Sequence, residues 1–224
     1  MSKPLIAIVG AGSGVSAAVA RKFGENGFRV ALVSRSGDRL KQLTEDLAEL
    51  QIEAAAFQAD AASEQQIADA FQSIANTLGT PDVLVYNAAA ISTVKPSELK
   101  GEQLLDELKV NVAGALYSVQ QVIPQFIESG SGTILVTGGG FGIHPNFNYS
   151  SLSLGKAAVR SLAYSLADEL KPHGVYVGTV TIGGYVSKGT FYDPDIIAER
   201  FWDLFQNRDR VEEVFADDAS VPAV

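Results

Sequence analysis

Short apolar runs alternate with amphipathic stretches along this chain. The runs are Leu5 to Val9, Arg29 to Val33, Glu53 to Phe57, Val83 to Tyr86, Thr133 to Thr137 and Val175 to Thr181. Most are continuously apolar, the pattern of parallel strands buried on both faces. Between them, stretches at 14–25, 37–50, 63–78, 97–129, 151–171 and 193–206 predict helices, with 97–129 read as two. In 151–171, Leu152, Val159, Leu162, Leu166 and Leu170 recur at helical spacing, and Pro172-His173-Gly174 stops the helix. Strand and helix alternating throughout predict an α/β fold, a doubly wound parallel sheet with helices on both faces, in a single domain. That domain is expected to span 1–208. Residues 209–224 are expected to form a C-terminal tail, partly disordered, with the small and polar end at 217–224 fraying.

Composition agrees with a self-sufficient core, since 46% of residues are hydrophobic and 19% charged. A net charge of −9 opposes general attraction to nucleic acid or anionic lipid, so neither is expected as a partner. There is no cysteine, which excludes disulfides and thiolate metal sites and suits a reducing, cytoplasmic setting. The opening apolar run is too short for a signal segment or a membrane span. The two histidines, His144 and His173, sit in a Pro-containing loop and a helix-end turn with no carboxylate cluster at ligand spacing, so no metal is expected.

The chemistry begins where the first strand ends. Gly10-Ala11-Gly12-Ser13-Gly14-Val15-Ser16 joins a strand to a helix, the context of a Rossmann-type dinucleotide loop. Glycine lets the backbone approach a pyrophosphate, and the helix N-terminus offers free N–H groups and a positive dipole end. The second strand ends Val33-Ser34-Arg35. A serine followed by a cation stands where an NAD site places an acid, which favours a 2′-phosphate and hence NADP(H) over NAD(H). Arg39 and Lys41 lie close behind, and an arginine fork suits a phosphate dianion.

These markers and those that follow resemble the classical short-chain dehydrogenase/reductase family over nearly the whole chain. Gly10, Gly14 and Ser16 match its GxxxGxG loop with serine in the last place. Asp60-Ala61 corresponds to its Asp-hydrophobe pair beside the adenine. Tyr86-Asn87-Ala88-Ala89 looks like its Asn-Asn-Ala-Gly strand end, altered at Tyr86 and Ala89, and Asn111-Val112-Ala113-Gly114 is similar to the segment bearing its active-site asparagine. The resemblance implies a cofactor site at Gly10, Gly12, Ser13, Gly14, Val15, Arg35, Asp60, Ala61, Asn87, Ala88, Lys156 and Ile182. It also implies a homodimer or homotetramer paired through 97–129 and 151–171.

Catalysis in that family uses a tyrosine, a lysine four residues later and a serine about thirteen residues earlier. Aligning Lys156 with the lysine puts Leu152 in the tyrosine position and Gly139 in the serine position, so only Asn111 and Lys156 remain. Tyr149 is the candidate substitute. Seven residues before Lys156 on a helix it would stand roughly 10 Å away, but ahead of a helix starting near 150 it could fold back over the cleft. The alternative is a packing or pocket-lining aromatic. Thr137 could point its hydroxyl into the cleft or simply pack, and Ser153 should face elsewhere. After the sixth strand, Ile182-Gly183-Gly184-Tyr185 replaces the family's Pro-Gly and leads a short lid, whose Tyr185, Phe191 and Tyr192 either line a pocket or anchor the loop.

Three functions fit. The chain is an NADP(H)-dependent oxidoreductase acting on a small carbonyl or alcohol through an atypical site, or a catalytically inactive cofactor-binding protein that senses or assembles, or a scaffold that has lost the cofactor. The retained glycines, Arg35, Asp60 and Asn87 speak for the first two.

Overall fold

A computed structural model describes residues 3–217. The strands are β1 (Leu5–Val9), β2 (Arg29–Ser34), β3 (Ala54–Gln58), β4 (Val83–Tyr86), β5 (Gly132–Gly139), β6 (Val175–Ile182) and β7 (Glu212–Phe215). The helices are α1 (Val15–Glu25), α2 (Gly37–Glu49), α3 (Glu64–Thr77), α4 (Gly101–Leu108), α5 (Gly114–Ser129), α6 (Ser150–Leu170) and α7 (Pro194–Asn207). All strands run parallel in one sheet ordered β3-β2-β1-β4-β5-β6-β7. The fold is therefore the expected single α/β domain of Rossmann type. Between β1 and β4 the strand order reverses direction, which opens a crevice at the strands' carboxyl ends.

Alternation along each strand feeds two cores. Ile6 and Ile8 of β1 join Val30, Leu32, Phe23 and Phe201 beneath α1 and α7, whereas Leu5, Ala7 and Val9 join Leu84, Val119 and Val159 beneath α3, α5 and α6. This is why the strands read as unbroken apolar runs.

The expected tail needs correction. Glu212–Phe215 is a strand that pairs with β6, because the charged Glu212 is turned inward and satisfied there. Its side chain is only 6% exposed and accepts from Arg160, Thr181 and Tyr164. An inward carboxylate with three donors reads in sequence as a solvated loop, and the rest of that tail, 218–224, lies outside the described residues.

The 97–129 stretch is indeed two helices, but they are joined by a π-helical turn at Lys109–Ala113 rather than by a loop. Asn111 sits in that turn, buried. Among the described residues no helix is long and apolar enough to cross a membrane.

Candidate active site

The glycine loop is built by close approach. Gly10 has φ +87°, and a Cβ there would meet Ala88 N at 2.3 Å, so only glycine lets β1 and β4 end side by side. Gly10 N and Ala11 N both donate to Val33 O, which ties the loop to β2. Ser16, the residue in place of the last glycine, is buried and donates to Gly10 O at 2.8 Å. Asn87 donates to Ser16 Oγ at 2.6 Å and accepts from Thr137 Oγ1 at 2.8 Å. One chain of side chains thus locks together the ends of β1, β4 and β5, and Thr137 spends its hydroxyl within it.

A cavity of about 520 Å³ opens over this junction, lined among others by Gly10, Gly12, Arg35, Arg39, Asp60 and Asn87. Ala61 and Ala88 also line it. Ser36 caps α2 by accepting from Arg39 N at 3.3 Å, which sets Arg39 in the first turn above the loop. A Cβ on Gly12 would stand 4.0 Å from Arg39 Cδ. Arg35 stands across the mouth, 3.9 Å from the Asp60 carboxylate and 70% exposed. Two guanidinium groups at one rim, over a backbone cradle that a side chain would fill, fit the phosphates of a dinucleotide. In the sequence Arg39 reads only as a nearby cation; its cap is the signal that aims it.

Four further cofactor candidates, Ser13, Gly14, Val15 and Ile182, do not line this cavity. Ser13 is exposed, Gly14 is the N-cap of α1, and Val15 turns its side chain into the core, leaving its backbone for a ligand. Ile182 ends β6 with its side chain buried, where Gly183 N donates to Phe215 O.

Near the end of β5, Lys156 Nζ donates to Thr137 O at 2.7 Å. Burial pushes its ammonium pKa down to about 8. Asn111 accepts from Ala90 N at 2.7 Å and donates to Ala90 O at 3.1 Å, which pins the loop after β4. Gly155 packs against it, for a Cβ there would meet Asn111 Cβ at 2.7 Å. Tyr86, altered from the family's asparagine, is buried and donates to Val110 O in the π turn. Its burial raises the phenol pKa, with Asp60 adding to the rise.

α6 begins at Ser150, so Tyr149 is its N-cap residue. The Tyr149 ring lies stacked on Phe141, centroids 5.3 Å apart. Lys156 and Tyr149 are not hydrogen-bonded to each other. Leu152 is buried at 8% exposure. Ser153 faces away, donating to Tyr149 O and accepting from Asn146 N. In the lid, Tyr192 is buried, Phe191 stacks on Phe215 at 4.7 Å, and Tyr185 is 88% exposed. Phe191 and Tyr192 therefore anchor the loop to β7, the second of the two roles open to them.

The sequence profile of the family described as short chain dehydrogenase matches residues 4–191. The chain belongs to that family. This short-chain dehydrogenase is 28% identical to an uncharacterized oxidoreductase of Staphylococcus epidermidis over 81% of the chain and 78% of that protein. It is 30% identical to a glucose 1-dehydrogenase of Gluconobacter oxydans over 81% of the chain and 69% of that protein. A solved metagenomic short-chain oxidoreductase in complex with NADP is 25% identical, with a TM-score of 0.87 over 96% of this chain and 97% of that one. The short-chain dehydrogenase is thus an oxidoreductase of a nicotinamide-dependent family.

Proposed function

We propose that this short-chain dehydrogenase interconverts a small carbonyl compound and its alcohol with NADP(H), preferred over NAD(H). The observation that carries the reading is the single cavity in which Gly10, Gly12, Arg35, Arg39, Asp60 and Asn87 meet. In this reading the glycine loop and the α1 N-terminus, through Ser13, Gly14 and Val15, hold the pyrophosphate. Arg35 and Arg39 hold the 2′-phosphate, Asp60 and Ala61 flank the adenine, and Asn87 and Ala88 line the passage inward. Lys156 binds the nicotinamide ribose, and Ile182 offers backbone groups to the carboxamide. When bound, the dinucleotide supplies or accepts a hydride. Asn111 keeps the loop and the Lys156 helix in register, and Tyr149 stands at the site as a candidate proton donor. The NADP carried by the metagenomic relative and the alcohol chemistry in the name of the Gluconobacter relative support this reading.

The test is a fluorescence titration of the purified protein with NADPH and NADH, followed by addition of diacetyl and benzaldehyde. Tight NADPH binding with oxidation of the cofactor is expected. No binding of either dinucleotide would overturn the proposal.

Leu152 and Gly139 favour a second reading, a cofactor-binding protein without turnover that senses or assembles; binding without oxidation of NADPH would support it. In either reading we place the protein in the cytoplasm, on its cysteine-free composition. We also propose a homodimer or homotetramer. An apolar groove of about 880 Å³ lined by Leu105, Leu108, Val112, Leu116 and Leu162 runs along α4, α5 and α6, where a second copy would cover it. Light scattering on a size-exclusion column reads the mass directly.

A further inference from the structure

We infer that Lys156 is itself the proton donor to the substrate carbonyl, in place of a phenol. The inference rests on the proposed oxidoreductase reading and names the acid of that same site.

Geometry frees the lysine for this task. Its stem runs across Gly139, where a Cβ would meet Cγ, Cδ and Cε at 3.3 Å, so the lysine fills the space a side chain at 139 would take. Among the described residues one polar contact holds Nζ, the bond to Thr137 O, and an ammonium has three donors. Thr137 in turn donates its hydroxyl to Asn87, a residue that lines the dinucleotide cavity, so Nζ is tied to the strand end beside that cavity. Four residues earlier stands Leu152, which has no proton to give. Tyr149 is a poor competitor, because its ring is stacked on Phe141.

Among the described residues no carboxylate pairs with the ammonium. β5 and the turn at 140–142 carry no titratable side chain. Arg160 on α6 is paired with Glu212, and Glu107 on α4 accepts from Ser151, Gln103 and Ser92. With burial as its cause, a pKa of about 8 keeps the group charged at neutral pH yet close enough to release a proton.

The step balances. The carbonyl carbon gains a hydride from the reduced nicotinamide, the C=O π bond is replaced by C–H and O–H bonds, and the new hydroxyl proton comes from Lys156 Nζ. The amine is left neutral and is recharged from solvent. In the reverse direction the neutral amine takes the alcohol proton.

Two readouts test it on the full chain. In the first, ¹³Cε-labelled lysines are titrated by NMR from neutral to alkaline pH without cofactor, with Lys156→Met assigning the signal. The Lys156 signal is expected to titrate near 8, well below the usual lysine range. In the second, kcat for diacetyl reduction by NADPH is followed against pH. Wild type is expected to lose rate above about 8, and Lys156→Arg to lose about 10² to 10⁴ in kcat together with the alkaline fall.

A Lys156 signal titrating with the exposed lysines overturns the inference. So does a Lys156→Met variant that keeps kcat and only raises KM for NADPH, since that is a ribose clamp, or a Tyr149→Phe variant that loses kcat. A wild type that binds NADPH but reduces neither carbonyl removes the inference and leaves the cofactor-binding reading intact. Failure to bind NADPH removes the reading itself.

Discussion

Gly139 lies directly under the stem of Lys156, with a Cβ position 3.3 Å from three of the lysine's methylene carbons. That contact is tight, but its neighbour is flexible, so Gly139→Ser should fold with a Tm within a few degrees of wild type. Combined with Leu152→Tyr, it restores a hydroxyl pair beside Lys156, one helical turn or about 6 Å from the new phenol. Steady-state kcat with NADPH and diacetyl is expected to rise by about 10². An unchanged rate would show that the proton donor does not limit this site.

Arg35 and Arg39 should decide cofactor choice. Charge-assisted bonds to a phosphate contribute roughly 1.5 to 3 kcal/mol, so Arg35→Ala should weaken NADPH binding by about tenfold or more. NADH lacks the 2′-phosphate and should bind nearly unchanged. Equal losses for both dinucleotides in a fluorescence titration would place Arg35 elsewhere in function.

Gly10→Ala combines a left-handed backbone with a Cβ 2.3 Å from Ala88 N, and neither chain can yield without separating β1 from β4. The expected cost is roughly 2 to 4 kcal/mol. It should appear in urea unfolding as a lower midpoint, with NADPH binding lost even where the protein remains folded.

Lys156 should be a stability liability at neutral pH. Its folded pKa of about 8 lies below the unfolded value of about 10.4, so between these the unfolded state binds more protons and stability rises with pH. Below about 8 the penalty for the buried charge is fully present. Lys156→Met is therefore expected to stabilise the apo protein at neutral pH by on the order of 3 kcal/mol, an advantage that shrinks as pH rises from about 8 to about 10. Calorimetry at neutral and alkaline pH measures both.

Glu212 ties β7 to α6. Burial pushes its carboxyl up, but the bonds from Arg160, Thr181 and Tyr164 outweigh this and hold it below its ordinary value. A depressed carboxyl pKa gives stability that is present above the unfolded value and lost as pH falls through the folded one. Glu212→Ala should cost roughly 1 to 3 kcal/mol at neutral pH, less at acid pH, and expose the β6 edge to amide exchange.

Much of this was legible in the chain itself. Continuous apolar runs separated by helical periods required a parallel sheet covered on both faces, because only burial on two sides makes every residue of a strand such as Leu5–Val9 apolar. The glycine loop and Ser34-Arg35 likewise pointed to one end of that sheet, since local backbone freedom and charge order are properties of short segments. What required the tertiary structure were relationships between distant segments. Glu212 looked like tail because the donors that make its burial possible come from α6 and β6. Arg39 needed the Ser36 cap to be aimed, and Tyr149 needed Phe141 to fix its ring. The sequence determined that the tyrosine and serine positions carry Leu152 and Gly139; only the packed structure decided that Lys156 runs through the space this leaves, because a side chain's path is set by what surrounds it rather than by its neighbours in the chain.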